Sequence, residues 1–330
     1  MRVFINGFGR IGRSVLRAWL RTPSTWPMLE IVGINDIASP EMAAYLFEFD
    51  STFGVWPQPV RLEAGKLIIG DRALPLTSAR HLTELDLSSV DVVMECTGRG
   101  DQAAAMAEGL HAGARQVLIS GPSKIAEATV VIGANDAVLG QQKIISNASC
   151  TTNALAPLAR RLHECFGLRN GWMTTVHCYT SSQPTIDAPG PDFARSRAAA
   201  LSIVPTTTSA SRLVDHVLPE LAGRIEGAAL RVPVASVSCV DLTVTLDQSP
   251  TLAEVNACLS SANGVIGTTD RPLVSTDLRA RPESIVMALP ETRVTAGGLV
   301  RVFGWYDNEW GFSNRMLDMA MKMQEKAESI

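Results

Sequence analysis

The stretch RVFINGFGRIG, residues 2–12, decides how the first half of this chain folds. Arg2–Asn6 reads as a short apolar strand. Gly7-Phe8-Gly9-Arg10-Ile11-Gly12 follows it without a gap, and Ile11–Leu20 reads as a helix. A Gly-x-Gly-x-x-Gly between a strand and a helix has a mechanical meaning. The first glycine permits a tight turn, the second lets backbone approach a pyrophosphate, and the third lets helix and strand pack closely. The helix N-terminus then offers free N–H groups and a partial positive charge. Gly7, Gly9 and Gly12 are therefore candidate dinucleotide contacts. The next strand, Leu29–Asn35, runs into Asp36, which lies 24 residues past Gly12. A carboxylate there accepts a hydrogen bond from a ribose 2′-hydroxyl and repels a 2′-phosphate, so the expected cofactor is NAD rather than NADP. A structural glycine turn and a solvated loop aspartate would need no ligand. Their conjunction on one strand–turn–helix unit favours the cofactor.

Working outward, Val90–Cys96, Gln116–Ile119, Thr129–Ile132 and Lys143–Ile145 are further short β-rich runs, with a helix over Gln102–Ala112. Short apolar strands alternating with helices predict a doubly wound α/β domain with a parallel sheet. These strands end in small or polar residues: Thr97-Gly98-Arg99, Ser120-Gly121-Pro122, Gly133-Ala134-Asn135 and Ser146-Asn147-Ala148. In an open parallel sheet, ligands lie outside the carboxyl ends of the strands. After about residue 150 the strands lengthen: Gly171–Tyr179, Gly227–Val234, Ser236–Leu246, Ser284–Met287 and Leu299–Tyr306, with helices following Cys150, Ser209 and Thr251. That pattern predicts an α+β domain with a mixed or antiparallel sheet. The expected domains are 1–148, joined by the C-terminal helix 313–330, and 149–312. Met316, Met319 and Met323 recur at helical spacing in that helix and read as core.

With 330 residues the chain has room for roughly two domains. Hydrophobic residues at 46% against 19% charged exclude general disorder. A formal net charge of −4 argues against nucleic acid, whose binding needs concentrated Lys and Arg. No long apolar run predicts a membrane span, and the N-terminus lacks the pattern of a signal peptide. A cytoplasmic protein with reduced thiols is expected. Six cysteines stand at 96, 150, 165, 178, 239 and 258, with no Cys-x-x-Cys among them. Neither a metal site nor a redox pair is expected.

Ser149-Cys150-Thr151-Thr152-Asn153 is the chemical centre. Leu155, Leu158 and Leu162 predict an amphipathic helix behind it, with Ser149 as its N-cap and Cys150 in the first turn. A helix N-terminus favours a thiolate, so the thiol pKa is expected to be lowered there. The other five cysteines sit in apolar or strand segments and read as small hydrophobes. Of the five histidines, His111, His163 and His216 lie in helical stretches and His81 in a loop. His177 ends a strand among polar residues. It is the candidate base for Cys150, a pairing that spacing alone leaves open.

INGFGRIGR, SNASCTTN, HCYTSSQPTIDAP, RAAALSIVPTTT, RVPV and WYDNEWGFSNR occur in that order over both halves. The chain resembles the phosphorylating glyceraldehyde-3-phosphate dehydrogenase family. That resemblance implies a Rossmann domain binding NAD, a catalytic domain and a homotetramer. It implies oxidation of a phosphorylated aldehyde, glyceraldehyde 3-phosphate, with inorganic phosphate to an acyl phosphate. It makes Cys150 the nucleophile, through a thiohemiacetal and a thioester, and His177 its acid–base partner. Thr180 and Arg231 would hold the substrate phosphate, and Ser149, Thr151, Arg195 and Thr208, beside Ser209, the attacking phosphate. Gly7, Arg10, Ile11, Asp36, Thr97 and Ser120 would contact NAD, and Asn308 would orient its carboxamide. The family's pattern is broken at Ala154, Ser182, Ala188, Ala194, Ser209, Phe312 and Gly100. Ser182 and Ser209 fall in the phosphate regions, which bears on aldehyde preference. The alternatives are the related erythrose-4-phosphate dehydrogenase and a specialised paralogue acting on another phosphorylated aldehyde. Tyr179-Thr180 and Tyr306 favour the first family. A cysteine hydrolase would have no use for the glycine motif, Asp36 or Asn308.

Overall fold

The computed structural model describes residues 1–100, 102–262 and 264–328. The chain divides into two compact units. The first comprises Met1–Val130, Asp136–Ser149 and Ser313–Ile330, whose last two positions lie outside the described residues. The second comprises Val131–Asn135 and Cys150–Phe312.

In the first unit the elements are β1 (Arg2–Asn6), α1 (Arg10–Arg21), β2 (Glu30–Asn35), α2 (Pro40–Glu48), β3 (Val60–Glu63), β4 (Lys66–Ile69), β5 (Arg72–Thr77), β6 (Val92–Glu95), α3 (Ala103–His111), β7 (Gln116–Ile119), β8 (Ala128–Thr129) and β9 (Ile144–Ser146). They form a nine-stranded sheet in the order β3-β4-β5-β2-β1-β6-β7-β9-β8. The run from β5 to β8 is parallel. β3 and β4 add an antiparallel edge, turned by Ala64 and Gly65 at φ 47° and 73°. Central strands such as Val92–Glu95 are buried throughout, as a sheet covered on both faces requires. The edge strands were not anticipated from the sequence, because short half-exposed strands carry weak alternation. The expected strand Thr129–Ile132 shrinks to Ala128–Thr129. The Val131 N–H turns away to the Asn135 Oδ1, 2.8 Å off, and the ladder stops.

The second unit contains α4 (Cys150–Phe166), β10 (Leu168–Cys178), β11 (Val204–Thr206), α5 (Ala210–Val217), β12 (Ile225–Val232), β13 (Ser238–Leu246), α6 (Leu252–Ser260), β14 (Ile266–Thr269), β15 (Ile285–Ala288), β16 (Arg293–Val294) and β17 (Val300–Tyr306). Its eight-stranded sheet runs β11-β12-β10-β13-β17-β15-β14, with β16 paired to β17. The sheet is mixed, with β10 and β12 parallel and β10, β13 and β17 antiparallel. α7 (Trp310–Glu328) closes the chain. Asp307 caps its start, its Oδ1 accepting the N–H of Glu309 at 3.0 Å and of Trp310 at 2.8 Å. Met316, Met319 and Met323 are buried.

One expectation fails. Cys165 and Cys258 were read as unpaired, yet they form a disulfide between α4 and α6, with Cα atoms 6.7 Å apart. They are 93 residues apart in sequence, so only the packing of the two helices reveals the pair. Cross-linking a loop of that length constrains the unfolded chain. Replacing Cys258 with alanine is expected to lower unfolding free energy by about 2–4 kcal/mol. Urea titration with and without dithiothreitol checks this: the reductant should bring the parent protein down to the variant and leave the variant unmoved. Among the described residues no helix is long and apolar enough to cross a membrane, and no cluster of metal-ligating side chains occurs.

Candidate active site

The carboxyl ends of β1, β2 and β6 open onto a cavity of about 430 Å³. Asn6, Gly7, Gly9, Asn35, Asp36 and Thr97 line it, joined by Arg80, His81 and Arg99. The glycines are there for space. A Cβ on Gly7, at φ +91°, would lie 2.6 Å from the Thr97 nitrogen, and one on Gly12 would lie 2.1 Å from the Gly7 oxygen. Gly9 faces nothing within 4 Å, so the loop is open where backbone would meet a pyrophosphate. No side chain caps α1 and no acidic residue sits in its first turn, which leaves its positive end for an anion. Asp36 accepts N–H bonds from Phe8 at 2.5 Å and Ala38 at 2.8 Å, so it braces the glycine loop as well as facing the cavity. Size, uncapped helix and carboxylate together fit a dinucleotide. Arg10 is occupied elsewhere, paired with buried Asp50 at 2.5 Å. Ser120 follows β7 beside the half-buried Cys96, whose thiol desolvation pushes up to about 12.

A buried polar row floors this cavity. Thr77 Oγ1 donates to Asn35 Oδ1 at 2.8 Å, Asn35 Nδ2 to Asn6 Oδ1 at 2.9 Å, and Asn6 Nδ2 to Glu95 at 2.5 Å. Glu95 also accepts from the Thr97 N–H, 2.9 Å, and from the Thr97 hydroxyl. Burial raises the Glu95 carboxyl, and those donors pull against the rise. Each amide is thereby oriented, because a flip would set N–H against N–H. Asn6, Asn35 and Glu95 went unread in sequence. A charged residue inside VDVVMEC was the available signal.

In the second unit, α4 begins at Cys150, directly after Ala148, held at φ 55°, and Ser149. β10 carries His177 to its end, and the parallel register sets Arg231 of β12 beside it. Side chains at one register position share a face, which is why these two meet. The Cys150 Sγ lies 3.6 Å from His177 Nε2, and His177 Nδ1 lies 2.7 Å from the Cys178 carbonyl. Arg231 Nη1 stands 2.8 Å from Nδ1 and donates to the same carbonyl at 2.7 Å. A proton on Nδ1, donated to the carbonyl, leaves the Nε2 lone pair facing the sulfur, while Arg231, which can only donate, competes for the same nitrogen. Burial, then the Arg231 charge, pushes His177 down to about 4. Burial likewise raises the Cys150 thiol, against the Thr151 hydroxyl and N–H, the Arg231 charge and its own N–H. The lowered thiol pKa expected at a helix start is thus outweighed by desolvation, and the resting pair is neutral thiol and neutral imidazole.

Other expected residues fall into separate groups of this unit. Arg195 donates through Nε to Thr206 Oγ1 at 2.5 Å and through Nη2 to the Thr207 carbonyl at 3.3 Å. Thr208 Oγ1 accepts from the Ala210 N–H at 3.1 Å, and Ser209 stands exposed at the start of α5. Thr180 Oγ1 lies 2.9 Å from Ser182 Oγ, and Thr180 lines a cavity of about 270 Å³ with Tyr179, Ser181 and Gln183. Asn308 is buried, its Oδ1 3.1 Å from the Cys178 sulfur. Thr151 is buried and bonded to the Tyr306 hydroxyl.

Both halves of the chain match known proteins. Residues 1–103 match a family model described as glyceraldehyde 3-phosphate dehydrogenase, NAD binding domain, and residues 149–308 match that of its C-terminal domain. A glyceraldehyde-3-phosphate dehydrogenase of Pseudomonas aeruginosa is 47% identical over 330 residues, covering 98% of each chain. That of Cereibacter sphaeroides is 45% identical over 329 residues, again 98% of each. Glyceraldehyde-3-phosphate dehydrogenase 1 of Bacillus subtilis is 41% identical over 335 residues and 99% of each.

Proposed function

Since this chain belongs to the glyceraldehyde-3-phosphate dehydrogenase family, we propose that Cys150 is its nucleophile and His177 the base that serves it. The enzyme is an NAD-dependent oxidoreductase, and its reaction is the oxidative phosphorylation of glyceraldehyde 3-phosphate. The observation that carries the residue assignment is the 3.6 Å approach of the Cys150 sulfur to His177 Nε2.

Attack of sulfur on the aldehyde carbon gives a thiohemiacetal, with the thiol proton passing to Nε2. In the free enzyme that transfer runs uphill, because burial, and after it the Arg231 charge, opposes an imidazolium. The Nε of Arg231 is buried without a hydrogen-bond partner among the described residues. A substrate phosphate held by Arg231, with the Thr180 hydroxyl, supplies an acceptor there and offsets the charge that holds His177 down. Substrate thus makes its own base stronger. The Cys150 N–H at the head of α4 supports the oxyanion. When bound at the glycine loop and Asp36, NAD⁺ would supply the hydride acceptor for oxidation of the thiohemiacetal to a thioester. Inorganic phosphate then releases the acyl group. Arg195, Thr208 and Ser209 are assigned to that anion, and Ser149 joins them from the sequence match alone. Thr151 falls outside the group, because its hydroxyl is shared with Tyr306.

Domain 1–148 with helix 313–330 is assigned to the cofactor and 149–312 to the substrate. Gly7, Gly9, Gly12, Asp36 and Thr97 are the proposed dinucleotide residues, with Arg10, Ile11 and Ser120 supporting the loop and strand ends. Asn308, whose carbonyl end takes the Cys178 thiol, offers its NH₂ to the carboxamide. A cytoplasmic homotetramer is proposed. Ile186, Phe193, Leu201 and Ile203, 76%, 97%, 85% and 67% exposed in one stretch, support self-association.

The test is NADH absorbance with glyceraldehyde 3-phosphate, NAD⁺ and phosphate. Arsenate should replace phosphate, and failure of any aldehyde to reduce NAD⁺ would overturn the reading. Asp36→Ala is expected to raise the NADP/NAD ratio of kcat/KM about tenfold, one lost charge repulsion near 1.4 kcal/mol. It should also weaken NAD itself, since the Phe8 N–H loses its acceptor. An unchanged ratio would show that Asp36 does not select the cofactor.

A further inference from the structure

Glu95 is a buried carboxylate, 2% exposed, that takes no part in the chemistry at Cys150. It ends a polar row that crosses the carboxyl ends of four adjacent strands: Thr77 of β5, Asn35 of β2, Asn6 of β1 and Glu95 of β6. The backbone sets the sense of that row. The Ala79 N–H donates to Asn35 Oδ1 at 2.8 Å, and the Ala79 carbonyl accepts from Asn35 Nδ2 at 3.0 Å. An N–H only donates and a carbonyl only accepts, so the Asn35 amide has one orientation. Its Nδ2 then needs an acceptor on Asn6, which is Oδ1 at 2.9 Å, and this turns Asn6 Nδ2 onto Glu95 Oε2 at 2.5 Å. The other oxygen, Oε1, accepts from the Thr97 N–H at 2.9 Å, again a fixed backbone donor. Both oxygens of Glu95 must therefore accept, which a carboxylate does.

From Thr97 the row turns outward. The Thr97 hydroxyl donates to Glu95 Oε1, and its oxygen accepts from Arg99 Nε at 3.2 Å. Arginine has no acceptor, so the order Arg99→Thr97→Glu95 is the only one available. Arg99 lines the same cavity as Asp36, which is assigned to the ribose 2′-hydroxyl. Its two Nη groups bond to none of the described residues and are left for a ligand. A guanidinium tethered at Nε has given up side-chain freedom before the ligand arrives, so binding has less ordering to do. We infer that Glu95 is a positioning residue for the dinucleotide: through the Thr97 hydroxyl it holds the Arg99 guanidinium ready for the adenosine end of NAD. This rests on the cavity being the cofactor site.

Glu95→Gln tests the link. Glutamine keeps one acceptor oxygen and brings an NH₂ in place of the other. Turned to Thr97, that NH₂ opposes the Thr97 N–H. Turned to Asn6, it opposes the Asn6 NH₂, which Asn35 and Ala79 hold in place. Either way a donor loses its acceptor and the tether loosens. Calorimetry on the intact enzyme follows binding of ADP-ribose, which carries the adenosine end without nicotinamide. Its Kd should rise about tenfold in Glu95→Gln and about tenfold in Arg99→Ala. The double variant should stay near the single ones, because both changes remove one contact. KM for NAD⁺ should follow Kd, with kcat at saturating cofactor within about twofold of the parent, a split that general damage to the fold would not give. A parental Kd in Glu95→Gln, or losses that multiply in the double variant, would overturn the proposal. Should Glu95→Gln not fold, the hydroxyl is varied instead: Thr97→Val should weaken ADP-ribose about tenfold and Thr97→Ser should not. Equal values for those two would count against the tether. If the parent enzyme failed to bind ADP-ribose at all, the cavity would not be the cofactor site, and the proposal would fall with that assignment.

Discussion

Replacing Cys150 with serine is expected to cut NADH formation by about 10⁴-fold or more, below what a routine assay detects. The size follows from the site's acid–base balance. The paired base is weak, since burial and Arg231 push His177 down to about 4. Such a base can draw a proton from a thiol once substrate phosphate offsets the arginine. It cannot draw one from an alcohol, which is a far weaker acid. Folding should be unaffected, since serine is nearly isosteric, so circular dichroism and unfolding midpoints should match the parent. Full turnover in Cys150→Ser would mean that sulfur takes no covalent part.

His177→Asn is expected to lower kcat by about 10²–10³-fold, the usual worth of a placed general base. It should also change how stability depends on acid. The folded protein keeps His177 neutral down to about pH 4, whereas the unfolded chain binds that proton near pH 6.5. A folded pKa below the unfolded one means that the unfolded state carries more protons between those values, so stability falls as pH falls from 6.5 to 4. The loss from this residue approaches about 3 kcal/mol at pH 4. Urea unfolding across that window should show a shallower slope in His177→Asn than in the parent. Equal slopes would show that His177 is not held neutral. The comparison uses slopes, because the substitution also removes the contact with the Cys178 carbonyl.

Local pattern carried most of the fold. The glycine loop, α1, β2 and the long strands of the second half each have a period or a turn residue that names them. What escaped lacks such a mark. β3 and β4 are four residues each and half exposed, and Thr129–Ile132 is apolar enough for a strand but loses its ladder to the Asn135 side chain. Within the site, Cys150 and His177 stood out because one opens a helix and the other ends a strand among polar residues. Their environment was not legible. The helix start suggested a thiolate, but desolvation is a property of packing and overrode it. Nor could Cys165 announce Cys258. Tyr306, read in the sequence only as a marker of kinship, meets Thr151 of α4 and Thr175 of β10 once β17 is in place.

The pairing of His177 with Arg231 depends on the hydrogen-bond register of β10 and β12, not on a loop. A strand either holds its register or loses it. The chemistry of this pair is accordingly all-or-none on heating. Activity should survive loosening of the surface segments and vanish together with the amide protection of β10, so residual activity after heat treatment counts intact sheets rather than partly relaxed ones.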